Sequence, residues 1–220
     1  TNFSFLRGAS HPEEYVDRAS DYGLHGIGIA DHNTLAGVVR AYTELRDLDC
    51  KKEKDQPPRH KPKLLIGTRL VFIDGTPDIL VYPRDRKAYG RLCQLLSEGK
   101  LRADKGGCLL RLDDLLRFDK GQLLVLMPTH RFSSGLIAQT LKTLRQSKAE
   151  GVWLAASFLW RGDDERRLAR LQRLADTVSV PLIATNDVLY HEPSRRALQD
   201  VLTCIREKTT IETVGRQVEA

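Results

Sequence analysis

Along the chain the hydrophobic positions switch repeatedly between a period of two and a period near 3.6, and each switch predicts an element. The run Ile27-Gly28-Ile29-Ala30 reads as a strand from His25 to Ala30, ending in Asp31-His32. Before it, Ser10-His11-Pro12-Glu13 predicts a helix start, with Ser10 as N-cap, Pro12 in the first turn and Glu13 closing a capping box. Tyr15, Val16, Ala19 and Tyr22 then share a face, and Gly23 ends the helix. Leu35, Val38, Val39, Tyr42 and Leu45 predict a second amphipathic helix. Leu64-Leu65-Ile66 and Leu70-Val71-Phe72-Ile73 read as strands, and Asp74-Gly75-Thr76 as the hairpin turn into Ile79-Leu80-Val81-Tyr82. A helix with Tyr89, Leu92 and Leu96 on its buried face ends at Gly99, and a short helix lies near Leu112 to Phe118. Then come a buried strand Leu123–Leu126, a helix from about Ser134 to Gln146, and a strand Gly151–Ala156. A basic helix follows, capped by Asp163 or Asp164, with Leu168, Leu171 and Leu174 recurring along it. After the strand from Pro181 to Thr185, Pro193 opens a last helix with Leu198, Val201, Leu202 and Ile205 at i, i+3, i+4 and i+7.

Alternation of strand and helix through short loops predicts parallel β/α units, closed as a barrel or laid out as an open doubly wound sheet. One stretch breaks the pattern. From Arg46 to Lys63 the chain is charged, Pro-broken and aperiodic, which predicts an exposed loop, or more sharply a basic arm for nucleic acid.

Composition narrows the picture further. At 220 residues, 41% hydrophobic and 29% charged, one compact domain with a substantial core is the default, and two small ones are possible. No apolar run approaches the roughly 18–20 residues of a membrane span, and no signal-peptide pattern opens the chain. Thr1 already stands in a structured-looking segment, which predicts an excised fragment. Cys50, Cys93, Cys108 and Cys204 are scattered without a CxxC pair, so they read as reduced, cytosolic and structural. The net charge of +6 permits contact with nucleic acid without establishing it.

Candidate chemistry gathers at two strand ends, where α/β folds collect binding side chains clear of the packed interior. Asp31 and His32 end one strand; Asn186-Asp187 ends another. One imidazole and two carboxylates suit Zn or Mn. The blander alternative is that Asp31-His32 caps the following helix and bonds loop backbone. His25, His60 and His130 read as a strand residue and two loop residues. His191 could approach the Asp187 loop, but reads more simply as a surface residue before Pro193. No GxGxxG or GxxxxGK[ST] motif is present, so a dinucleotide or P-loop site has no support.

Four ordered segments carry a family resemblance: Thr1–Ser10, Gly28-Ile29-Ala30-Asp31-His32-Asn33-Thr34-Leu35-Ala36-Gly37, Ala184-Thr185-Asn186-Asp187-Val188-Leu189-Tyr190, and Leu198–Glu207. Together they resemble a PHP (polymerase and histidinol phosphatase) domain, in particular those at the N-terminus of bacterial error-prone DNA polymerases. The resemblance runs from Thr1 to about Gly215. It implies an α/β fold, a distorted (β/α)7-type barrel, with a PHP domain over residues 1–207, the charged insertion at about 46–63, and the start of a connection to a polymerase body over 208–220. Active relatives hold a cluster of divalent metals at the C-terminal strand ends and cut phosphoesters there.

Carried over position by position, the family's ligands fare poorly. The opening His-x-His falls before Thr1. The next ligand corresponds to Arg7. His32 matches the histidine of the second motif, the glutamate of Gly-x-Glu has become Arg69, and a later histidine falls on Asp78. The Cys or His after the next strand has no clear counterpart near Met127 to His130. In the final Asp-x-His, Asp187 is kept and the histidine has become Leu189. A guanidinium stays protonated, repels a divalent cation and offers it no lone pair. The expectation is therefore a vestigial site (Asp31, His32, Asp187) with Arg7 and Arg69 as internal counter-ions to Asp31, Asp78 or Asp187, and no catalytic residue. No cofactor is expected in the domain itself, Zn or Mn being the ion a surviving site would take, and Mg belongs to the absent polymerase domain. The resemblance implies a structural domain of a cytoplasmic, damage-response polymerase, whose partners are the palm and thumb of the same longer chain and primer-template DNA, with no membrane. Two alternatives stay open: a metal-dependent phosphoesterase or 3′–5′ exonuclease, and a basic nucleic-acid-binding module.

Overall fold

A computed structural model describes residues 1–48, 59–158 and 160–215. The expected insertion at 46–63 falls mostly outside the described residues. The chain divides into two compact units, residues 1–67 with 188–220 and residues 68–187.

In the first unit, helix α1 (Pro12–Asp21), strand β1 (Gly26–His32) and helix α2 (Gly37–Asp47) enclose a core of Tyr15, Val16, Ile29, Val38, Ala41 and Leu48. Strand β2 (Lys63–Leu70) begins in this unit and lies beside β1. The α1 cap sits one residue later than expected. His11 is the N-cap, its N–H donating to Glu14 at 2.7 Å, because Ser10 is engaged elsewhere. Tyr22, Val39 and Tyr42, assigned from periodicity to buried faces, are exposed, and Ala41 takes the packed position in α2. β1 runs two residues past Ala30, so Asp31 and His32 are the last residues of the strand itself.

Helix α7 (Arg196–Glu207) follows a 3-10 turn at Pro193–Arg195, as the Pro193 signal predicted. Its packing is the reverse of the usual one. Gln199, Thr203 and Cys204 are buried, whereas Leu198, Val201 and Ile205 are exposed. A stripe at helical spacing shows that one face is apolar but not what covers it. A short helix α8 (Ile211–Val214) ends the described chain.

The second unit begins within β2 and continues through β3 (Ile79–Pro83), helices α3 (Arg86–Leu101) and α4 (Leu112–Phe118), β4 (Gln122–Leu126), α5 (Ser134–Arg145), β5 (Gly151–Ala156), α6 (Asp164–Val178) and β6 (Leu182–Ala184). The strands lie side by side in chain order. β2–β3 and β3–β4 are antiparallel, while β4–β5 and β5–β6 are parallel. The α/β fold class holds, and β2–β3 is the expected antiparallel hairpin; the departure from parallel β/α units is at β3–β4, where helices α3 and α4 return the chain antiparallel. Val71 to Ile73 are not strand. β2 runs unbroken through Gly67, and the hairpin closes through a longer loop from 71 to 78, with Gly75 at φ +81°.

Strand pleating sorts the side chains of this unit. Thr68, Leu70, Ile79, Val81, Leu124, Leu126 and Leu154 are fully buried. The alternate positions Arg69, Leu80, Val125 and Trp153 stand opposite one another across four strands and are less deeply covered. That row puts Arg69 near the end of β2 on the same face as Leu80, Val125 and Trp153.

Asp114 ties the first two helices of this unit together. Its carboxylate accepts from the Arg111 N–H at 2.9 Å, from Arg102 of the α3 C-terminus at 2.7 Å and from Arg117 at 2.9 Å. Burial alone would raise its pKa, but these hydrogen bonds outweigh it and hold the group below the ordinary aspartate range. A depressed folded-state pKa adds stability at neutral pH that is lost as the pH falls below about 4. Asp114→Asn is therefore expected to cost about 1–2 kcal/mol at pH 7. The gap from the parent chain should shrink at pH 3; urea denaturation at the two pH values checks it, and an equal gap at both would contradict the assignment.

Candidate functional site

In the second unit Arg69 faces two carboxylates at once. Its Nε donates to Asp78 Oδ2 at 2.7 Å, and one terminal nitrogen donates to both oxygens of Asp187, at 2.9 and 3.1 Å. Each element presents its residue for a simple reason. Arg69 points off the pleat near the end of β2. Asp78 closes the hairpin loop just before β3, where its carbonyl accepts from the Met127 N–H at 2.8 Å. Asp187 follows β6 at φ +45°, a left-handed conformation that Asp tolerates better than most residues. The Arg69 side chain is 19% exposed, those of Asp78 and Asp187 26% and 43%. Burial would lower the Arg69 pKa, but Asp187 and Asp78 outweigh it and raise it, so the guanidinium keeps its charge.

Tyr82, two residues beyond Leu80 on the same face of β3, belongs to this neighbourhood. Burial, and then the negative charge of Asp187, push its phenol pKa up, so it stays neutral and can only share a proton by hydrogen bonding. Sequence inspection passed it over, although its alternation with Leu80 was a usable signal.

In the first unit Asp31 is 1% exposed. It accepts from Ser4 Oγ at 2.7 Å and from Thr1 Oγ1 at 2.9 Å. Ser4 Oγ in turn accepts from the His32 N–H at 2.9 Å, so one hydroxyl links the N-terminal segment to the end of β1. His32 is half-buried, and Asn33 next to it turns the chain at φ +52°. Arg7 is exposed rather than buried; its N–H donates to the Ser4 carbonyl, and its own carbonyl accepts from Gln199. Leu189 is half-buried and its carbonyl accepts from the Ala9 N–H at 2.9 Å.

His191 is not the surface residue expected. Its side chain is 12% exposed, and Nδ1 lies 2.8 Å from Ser10 Oγ. Ser10 is thereby drawn from capping α1 into a tie across 181 residues of sequence. His60 Nε2 lies 2.8 Å from the Leu24 carbonyl, and His130 Nε2 3.3 Å from Asp163. Among the described residues no three His, Cys, Asp or Glu side chains converge as a metal-binding group. Where the second unit brings two carboxylates together, a fixed cation already lies between them.

The family profile for the PHP domain matches residues 1–160. This chain belongs to the PHP domain family. The domain is 63% identical over 225 residues to the error-prone DNA polymerase of Bradyrhizobium sp. (strain ORS 278) and 64% identical over 225 residues to that of Bradyrhizobium diazoefficiens. It is 52% identical over 221 residues to the error-prone DNA polymerase of Brucella abortus. Each alignment covers the whole of this chain but only 18%, 19% and 20% of the relative, so the PHP domain spans about a fifth of these polymerases. Among solved structures it resembles a proposed metal-dependent phosphoesterase from Bifidobacterium adolescentis, with a TM-score of 0.58, 15% identity, and 87% and 85% of the two chains covered. An amidohydrolase from Chromobacterium violaceum, solved with bound sulfate and no metal, gives a TM-score of 0.57 at 16% identity, covering 85% of this chain and 84% of its own. At that identity these structures establish the α/β fold of the family. The described residues of the PHP domain contain no helix long and apolar enough to cross a membrane.

Proposed function

We propose that this PHP domain serves a cytoplasmic error-prone DNA polymerase as a structural domain without hydrolytic activity of its own. The contact that supports this most directly is Arg69 bonded to both Asp78 and Asp187. A guanidinium there supplies the positive charge that a divalent ion would otherwise bring, and it cannot activate water as a metal does. The pair of carboxylates is held in shape while the Lewis acid is lost. In the longer chain, residues 208–220 would lead toward the polymerase body. The exposed stripe of Leu198, Val201 and Ile205 would pack against its palm or thumb, because an apolar helix face gains stability only when covered. The whole polymerase would use Mg to extend primers on primer-template DNA across damaged template, a DNA-repair role.

The test is a phosphatase and single-strand 3′–5′ exonuclease assay with added Mn or Zn, run beside a His32→Ala control, with elemental analysis of the purified chain. No activity above the control and well under one metal per chain are expected. Turnover that His32→Ala abolishes would replace this proposal with a metal-dependent phosphoesterase.

A further inference from the structure

The loops that leave the parallel strands β4 and β5 carry a second concentration of chemistry, and the Arg69 site does not use it. On the β5 side, Phe158 and Trp160 are 53% and 83% exposed, with ring centroids 6.0 Å apart and planes tilted by 46°. Trp160 stands at φ +52°, a left-handed conformation uncommon for a bulky residue. Side-chain hydrogen bonds tie the two loops together. Arg167 is 6% exposed and donates to the Ser157 carbonyl at 3.0 Å and the Pro128 carbonyl at 3.2 Å, joining the two loops. Arg170 donates to the Phe132 carbonyl and to Ser134 Oγ, and its guanidinium lies 4.3 Å from the Phe132 ring centroid. His130 meets Asp163, and the Arg161 N–H donates to Asp164.

Charge is unevenly matched here. Residues 128–134 and 157–170 contain Arg131, Arg161, Arg166, Arg167 and Arg170 against Asp163, Asp164 and Glu165. Arg131 and Arg161 are exposed. Arg167 donates to neutral carbonyls, with Asp164 and Asp163 close enough to act on its charge, so the carboxylates of this region face inward to a buried cation while Arg131 and Arg161 face water.

We propose that these two loops bind single-stranded nucleic acid, with bases stacking on Trp160 and Phe158 and phosphates drawn to Arg131 and Arg161. Exposed aromatic rings interleaved with arginines are the means by which proteins hold single strands without reading their sequence: every base has a π-face, and every link carries a negative charge. An apolar protein partner would cover the rings but leave the excess arginines unmatched. The site lies wholly in the second unit and stands whether or not the metal-free reading of Arg69 holds.

The experiment titrates the 220-residue chain with a fluorescent oligothymidylate at low salt, following anisotropy and tryptophan emission, in the parent and in a Trp153→Phe background that leaves Trp160 as the reporter. Expected results are quenching of Trp160, weakening by about tenfold in Trp160→Ala and by less in Phe158→Ala, and a salt slope reduced by about one in Arg131→Ala. Matching thermal melts for parent and variants would exclude misfolding as the cause. The proposal fails if no binding is seen at 20 mM salt on the order of the weak non-specific range, or if Trp160→Ala binds as tightly as the parent. It fails equally if Trp160 emission responds to protein concentration alone and not to oligonucleotide, which would make the rings a self-contact.

Discussion

Arg69→Ala is expected to lower the unfolding free energy by about 2 kcal/mol. Removing one partner of a buried ion pair costs roughly 3–5 kcal/mol, and the exposure of Asp187 and Asp78 to water reduces that figure here. The loss comes mainly from what stays behind, since two carboxylates held close together lose the cation between them. Arg69→Lys should fall in between, because an ammonium keeps the charge but loses the fork that reaches both partners. Arg69→Glu should be the least stable in buffer, with three carboxylates facing one another, and Mn should stabilise it in a concentration-dependent way through mass action. Urea denaturation of the four proteins with and without Mn decides the matter. An alanine variant as stable as the parent would mean that this cation is decoration, and the proposal of a metal-free structural domain would lose its main support.

The second large effect lies in the first unit. Asp31→Ala should cost about 3 kcal/mol, since hydrogen bonds to a charged, fully buried group are worth about 1.5–3 kcal/mol and the Ser4 and Thr1 hydroxyls would lose their acceptor. Ser4→Ala, which removes one bond to the carboxylate and one from His32, should cost about 1–2 kcal/mol. Gly37 supplies an internal control. A Cβ at that position would sit 2.6 Å from Asp31 Oδ2 and 3.2 Å from Pro12. Gly37→Ala is thus destabilising in the parent but relieved in the Asp31→Ala background, where the clashing oxygen is gone. The double mutant should be less destabilised than the sum of the two single ones. Strict additivity would show that the carboxylate does not set the packing at the start of α2.

Much of the element order was legible because propensity and periodicity act locally. The strand at 151–156, the short helix at 112–118 and the Pro193 start all follow from residues within a few positions of one another. Errors arose where a distant residue competes. Ser10 has the chemistry of a helix N-cap, yet it bonds His191, so the cap passes to His11. The Leu198, Val201, Leu202 and Ile205 stripe was visible, but its exposure was not, because an apolar period carries no information about what lies opposite. Strand direction between β3 and β4 was missed for a related reason: two helices in the connection leave its return direction undetermined.

The candidate site divides along the same line. Residue types alone determined that Arg69 cannot ligate a metal and that its charge needs matching, since a guanidinium is a permanent donor. They also determined the family, through runs of residues that keep their order. Only the tertiary structure decided that Arg69 meets both Asp78 and Asp187 while Arg7 remains exposed. Ion pairing acts over a few ångströms, whereas Arg69 and Asp187 are 118 positions apart. β3, β4 and β5 lie between β2 and β6, so the curvature of the sheet, not the local sequence, closes that distance.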